Sequence, residues 1–142
     1  MARNHQTSKY LVPVALLLIG VSIVLFLVSQ NGVTSSYSIK TISQTCFTEP
    51  HDLDVRGESN SIIITAPMST PNPCYYAGGN VDFRNGDINV RLIPFPEGGV
   101  QVCVQCIGEI VGEVVVQNLS SGVHEVNVTT PDRTVTTSIT VK

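Results

Sequence analysis

Charge is scarce in this chain of 142 residues, and its scarcity excludes one class of function at once. Charged residues make up 13% of the chain, the net charge is −3, and lysine and arginine together number eight. A nucleic-acid-binding surface needs a basic stripe or patch, which so few cations do not supply. Tryptophan is absent, whereas valine, isoleucine and threonine are frequent, a composition that favours strands over helices.

No charged residue stands between Lys9 and Lys40, and this gap holds the longest apolar run of the chain. Residues 10–28 are long enough for a helix across a hydrocarbon core of about 30 Å. Arg3 and Lys9 precede the run, and positive charge marks the cytoplasmic side. We expect a cytoplasmic N-terminus at 1–9, a transmembrane or signal-anchor helix at 10–28 in the lipid bilayer, and the remainder outside the cell membrane.

The segment after the apolar run leaves two processing outcomes open. Small residues at 33–36 offer signal peptidase a cleavage position near Ser35 or Ser36, which would give a secreted protein instead of an anchored one. In both cases the remaining domain is extracytoplasmic. Residues 29–45 are rich in Ser, Thr, Asn and Gly and are predicted to form a polar stalk, with a possible first strand at 37–42.

From residue 46 to 142 the sequence consists of short alternating runs separated by turn residues, which is typical of strands. Asn85-Gly86 supplies the positive-φ positions of a type I′ turn and predicts a hairpin. The predicted register sets Arg84 against Asp87, Phe83 against Ile88 and Val81 against Val90. Further strands are expected at 100–107, 113–116, 123–128 and 134–141. Together they predict an all-β fold, an Ig-like antiparallel β-sandwich of seven to eight strands.

Four cysteines in an exported domain of this size predict two disulfides. Cys103 and Cys106 form a C-x-x-C pair, but they lie in the strand predicted at 100–107. Three steps along a strand separate Cα atoms by roughly 10 Å, too far for a disulfide. Each should therefore bond to Cys46 or Cys74. Of the two possible pairings we favour Cys74–Cys103 with Cys46–Cys106.

Two motifs carry a family resemblance, over roughly residues 70–128. Asn72-Pro73-Cys74 followed by Cys103-Val104-Gln105-Cys106-Ile107-Gly108 resembles uncharacterised exported prokaryotic, especially archaeal, proteins with an N-P-C loop and a C-x-Q-C-[VI]-G strand. The stretch at 119–128 is similar to a hairpin of many Ig-like extracellular domains, with His124 at a position usually held by tyrosine. The resemblance implies a β-rich fold and an extracytoplasmic location, and it implies no catalytic residues.

Other candidate sites are few. Glu49, His51, Asp52 and Asp54, with His124, could form a metal shell, but a histidine in a turn is more often a solvated residue, so no metal or cofactor is predicted. Asn118 and Asn127 each begin an N-x-[ST] glycosylation sequon. Pro94-Phe95-Pro96 is a short apolar tip that either packs on its own domain or forms a contact patch.

The sequence therefore predicts a membrane-anchored, non-enzymatic binding or structural module of the cell surface, stapled by two disulfides. Its expected partners are the lipid bilayer and either another surface protein or a second copy. Two alternatives remain. One is an extracytoplasmic thiol–disulfide protein that uses Cys103 and Cys106. The other is a filament subunit in which the strand at 37–42 is exchanged between protomers.

Overall fold

The computed structural model describes residues 34–49, 51–84, 86–99 and 102–142. Within these ranges the chain forms strands and no helix, and so no helix there is long and apolar enough to cross a membrane. The apolar segment predicted to span the bilayer, at 10–28, lies outside the described residues. The strands are β1 (Ser36–Cys46), β2 (Asp54–Glu58), β3 (Ser61–Thr70), β4 (Tyr75–Arg84), β5 (Asp87–Pro96), β6 (Gly108–Gln117), β7 (Gly122–Thr129) and β8 (Thr134–Val141).

The strands pair in two four-stranded sheets. The first sheet has the order β1-β6-β3-β2, and the second has the order β4-β5-β7-β8. The all-β prediction is confirmed, but the prediction of purely antiparallel sheets is wrong, because β5 and β7 are parallel. Between them the chain leaves the second sheet to form β6 in the first. A parallel pair requires such a crossover connection.

Alternation along the strands places one face of each sheet in a shared core. The first sheet contributes Ile62, Ile64, Met68, Ile110, Val114 and Val116, and the second contributes Val81, Ile88, Val90, Leu92, Val126 and Val128. Full burial of one such side chain stabilises the fold by about 1.5–3 kcal/mol. In β8, Val135, Thr137 and Ile139 are partly buried and Val141 is buried, whereas the alternate residues are exposed. The result is a β-sandwich.

The β4–β5 hairpin has the register that the sequence predicts. Arg84 pairs with Asp87, Phe83 with Ile88 and Val81 with Val90. Gly86 has φ +91°, a backbone conformation that L side chains rarely adopt. Asn85, the other predicted turn residue, lies outside the described residues. The turn chemistry and the apolar alternation specify the same pairing, which fixes which face of each strand points outward.

The prediction of a strand at 100–107 is wrong. Residues 102–107 form a loop, and β6 begins only at Gly108. Val102 in this loop is 100% exposed. The loop carries the chain from β5 in the second sheet to β6 in the middle of the first. A segment that crosses between sheets has no neighbouring strand to pair with, so its alternating valines do not make it a strand.

The first strand is longer than predicted and is paired with β6 of the same chain over its whole length. Its outer edge faces the edge of β4. The Thr41 hydroxyl accepts a hydrogen bond from the Ala77 backbone N–H at 2.7 Å, and the Gln44 amide donates to the Tyr75 carbonyl at 2.7 Å. The Thr41 and Gln44 side chains thus form hydrogen bonds with backbone groups at the edge of β4. Without them, these groups would be free to pair with a strand of another chain.

Candidate functional site at the cysteine end of the sandwich

All four cysteines lie in the described residues, and each is in a disulfide. Cys46 is bonded to Cys106 and Cys74 to Cys103, with Cα–Cα distances of 5.8 Å and 6.0 Å. This is the pairing that the sequence favours, although the strand used to argue for it is a loop. The two bonds tie loop 102–107 to the end of β1 in the first sheet and to the residue before β4 in the second. We call this end of the sandwich the cysteine end.

The Asn72-Pro73-Cys74 segment packs against the start of β6. The Asn72 side-chain oxygen accepts a hydrogen bond from the Cys74 N–H at 3.0 Å and lies 3.1 Å from the Cys103 sulfur. The Thr70 hydroxyl donates to the Asn72 carbonyl at 2.7 Å. A Cβ atom at Gly108 would overlap that same carbonyl group. The N-P-C segment and the C-x-Q-C-I-G segment thus pack together through Asn72, Cys74, Cys103 and Gly108.

In this state the C-x-x-C pair presents no free thiol. Thiol exchange and metal ligation both require a thiolate. Here both sulfurs are bonded to distant cysteines, not to each other. The two disulfides connect the two sheets through one loop, and they also reduce the conformational freedom of the unfolded chain.

The structure gives His51 a partner that the sequence pattern does not indicate, Glu109. The His51 ring nitrogen Nδ1 contacts Oε1 of Glu109, and the His51 backbone N–H lies 3.5 Å from Oε2. Glu109, near the start of β6, is only 4% exposed. A buried carboxylate needs a partner, and this one holds the chain segment after β1 across the outer face of the first sheet. The only sequence signal was one acid at the beginning of an apolar run.

A pocket of about 260 Å³ adjoins this pair. Phe47 and Pro67 give it apolar walls, and Asp132 and Arg133 from the β7–β8 turn reach its other side. Asp132 accepts a hydrogen bond from the Ser69 N–H at 3.0 Å. Ser69 lines the same pocket and is the register partner of Glu109, but among the described residues no hydrogen bond joins its hydroxyl to His51.

The metal shell considered for Glu49, His51, Asp52 and Asp54 does not assemble. Among the described residues no three metal-binding side chains come together. His124 is elsewhere, at the start of β7, where its Nε2 lies 2.8 Å from the Ser120 carbonyl oxygen.

The two sequons lie in different surroundings. Asn118 is exposed in the bend after β6 and has φ +60°. Asn127 lies within β7, between the fully buried Val126 and Val128, and it points outward as the alternation predicts. Its side-chain oxygen accepts a hydrogen bond from the Thr136 hydroxyl at 2.5 Å. Asn118 is therefore the more accessible acceptor.

The Pro94-Phe95-Pro96 segment is the last part of β5 and not a free loop tip. Phe95 stacks on Tyr76, its partner across the hairpin, with ring centroids 5.6 Å apart. Both rings nevertheless stay exposed, Tyr76 at 44% and Phe95 at 37%. The segment thus packs on its own domain and also presents an aromatic surface.

Comparison of this chain with protein-family models, with curated proteins and with solved structures found no match.

Proposed function

We propose that this chain is a membrane-anchored extracytoplasmic β-sandwich module, a non-enzymatic binding or structural component of the cell surface. The observation that carries the proposal is the pair of disulfides, Cys46–Cys106 and Cys74–Cys103, which both hold one inter-sheet loop. Disulfides form and persist in oxidising compartments and are rare in the cytosol. A domain built on two of them fits a location outside the cytoplasm.

Anchoring rests on the apolar run at 10–28 and the positive charges before it. In this proposal the run stays attached and the N-terminus is cytoplasmic. Cleavage near Ser35 or Ser36 would release the same sandwich, since β1 begins at Ser36. The Ig-like assignment belongs to the proposal as well. Two packed sheets support it, whereas the parallel β5–β7 pair departs from the antiparallel sheets of that fold.

A role in binding or structure is supported by the chemistry of the described residues. The cysteines are all in disulfides, and the buried Glu109 is used to hold the segment around His51. The observations do not favour either alternative function. A thiol–disulfide protein would use a Cys103–Cys106 pair, and in this structure each has another partner. A strand-exchanging subunit would donate β1, which is here paired and bonded within its own chain.

Protease accessibility tests the proposed location. Intact cells, or spheroplasts without their wall, are treated with protease, and the C-terminal region is followed with an antibody against a tag at the C-terminus. We expect the region to be digested without lysis. A cytoplasmic protein that fractionates with the membrane is the control and must stay intact. Digestion of the C-terminal region only after lysis would place the sandwich in the cytoplasm and overturn the proposal.

A further inference from the structure

The outer face of the second sheet carries polar side chains in two rows that cross all four strands. One row is Asp82, Asn89, Asn127 and Thr136, and the next is Asn80, Arg91, Thr129 and Thr134; within each row neighbouring residues are register partners. Strands lie about 4.8 Å apart, so each row is about 14 Å long, and the rows are about 7 Å apart. A shallow cavity of about 320 Å³ lies over the central part of both rows.

The composition of these rows is unusual for strands. Asparagine and aspartate are depleted in strands, because their side chains compete with the backbone for hydrogen bonds. Here Asn80, Asp82, Asn89 and Asn127 all occupy strand positions on one face. Sheet stability does not explain that concentration, since threonine would suit each position better.

Some side chains of the two rows form hydrogen bonds with one another, and two others do not. The Asn80 amide donates to Asp82 at 3.0 Å, and the Thr136 hydroxyl donates to Asn127. In contrast, the Asn89 amide and the Arg91 guanidinium make no hydrogen bond or ion pair with another described side chain. They sit on β5, between the other members of their rows, and together they offer several donors and one carbonyl acceptor.

The same face ends in the aromatic pair. Tyr76 and Phe95 lie on β4 and β5 in the outward alternation that also contains Asn80 and Arg91. Gly78 lies between Tyr76 and Asn80, and a Cβ there would come within 2.8 Å of the Phe95 ring. The absence of a side chain at this position leaves room for the Phe95 ring beside Gly78. The face therefore joins an exposed aromatic pair to two rows of amides and hydroxyls whose charged members are Asp82 and Arg91. Three further charged residues, Arg84, Asp87 and Glu125, lie beyond the rows on the same face.

We propose that this face is a binding site for a neutral saccharide chain of the extracytoplasmic surroundings. Sugar hydroxyls both donate and accept hydrogen bonds, as do amides and hydroxyls, and an aromatic ring packs on the apolar C–H face of a pyranose. Asp82 and Arg91 have opposite charges, so the rows favour a neutral ligand over an anionic one. The proposal rests on the proposed extracytoplasmic location, and it gives the module its ligand class.

Binding is measured on the purified full chain, in a detergent without a sugar headgroup, after expression in a host that does not glycosylate the sequons. The probes are an array of neutral oligosaccharides, soluble mannan and dextran in affinity gels, and alginate as an anionic polysaccharide. We expect binding to a neutral glycan and none to alginate. Tyr76→Ala should weaken binding by about tenfold, because truncation of an aromatic contact often removes a large share of the binding free energy. Asn89→Ala should weaken it several-fold.

Ser38→Ala is the matched control, because Ser38 is an exposed strand residue of the first sheet. It should bind as the unchanged chain does, and circular dichroism should show every variant folded. Failure to bind any neutral glycan, or binding to alginate alone, would overturn the proposal. So would binding that Tyr76→Ala and Asn89→Ala leave unchanged. None of these results depends on where the protein resides, so the protease experiment and this one can fail separately.

Discussion

At the scale of single residues, Gly108 at the cysteine end has no room for a side chain. Its Cα faces the Asn72 carbonyl so closely that a methyl group cannot be accommodated without moving the Asn72–Pro73 backbone. That backbone is held in turn by the Cys74 N–H and by the Cys74–Cys103 bond. The glycine of the C-x-Q-C-I-G motif is therefore explained by contact rather than by backbone freedom, since its φ is not positive.

We expect Gly108→Ala to destabilise the protein by about 1–3 kcal/mol, the usual cost of forcing extra volume into a packed site. Gly98→Ala is the control, because a Cβ at Gly98 meets nothing within 4 Å and the residue does not have positive φ. Denaturant unfolding of both variants measures the difference. Equal stability of the two would show that the Asn72–Pro73 segment does not pack on Gly108.

The contact between Glu109 and His51 could not be predicted from the sequence. The spacing of 58 residues between it and His51 carries no local signal, and the apolar residues after it suggest only the start of a strand. Proximity in the sequence therefore suggests a metal shell of His51 with its acidic neighbours, which are Glu49, Asp52 and Asp54. The fold instead places β6 beneath the segment that follows β1, and this places the Glu109 carboxylate against the His51 ring.

At the scale of elements, the β4–β5 hairpin was predictable because its information is local. Asn85-Gly86 specifies the turn, and the apolar residues on either side specify the same register, so two independent signals agree. The loop at 102–107 was not predictable for the opposite reason. Its alternating sequence resembles a strand, but none of the described strands pairs with it, and two distant cysteines hold it in place.

The hairpin gives a second prediction. Gly86→Val should destabilise the protein by about 1–3 kcal/mol, because a β-branched residue resists the positive φ observed at this position. No atom lies within 4 Å of a Cβ there, so the loss would come from backbone strain and not from a clash. Thermal unfolding is the measurement, with Gly98→Val as the loop control. A melting temperature equal to that of the control would contradict the turn geometry.

At the scale of the whole molecule, the general architecture followed from the sequence and the strand order did not. Composition, alternation and turn spacing predict two packed sheets. The parallel pairing of β5 with β7 depends on where β6 goes in between, and no local pattern encodes that crossover. The polar rows of the second sheet could not be read from the sequence either, because they exist only once all four strands are in register.

The disulfides bear on the stability of the entire sandwich. Cys74→Ser removes the bond between loop 102–107 and the start of the second sheet, and we expect a loss of about 2–5 kcal/mol. That is a large fraction of the total for a small domain. The double variant Cys74→Ser/Cys103→Ser controls for reactions of the released thiol and should be destabilised to a similar extent. Unchanged denaturant midpoints in both would mean that this bond does not hold the fold.

Cys103 and Cys106 are structural staples with separate partners, and the proposed extracytoplasmic location would keep them oxidised. Non-reducing peptide mapping of the full chain, with thiols alkylated at the moment of lysis, tests it directly. We predict one cross-link between the peptides of Cys46 and Cys106, one between those of Cys74 and Cys103, and no alkylated cysteine. A Cys103–Cys106 bond, or alkylation at either residue in the folded protein, would contradict the account.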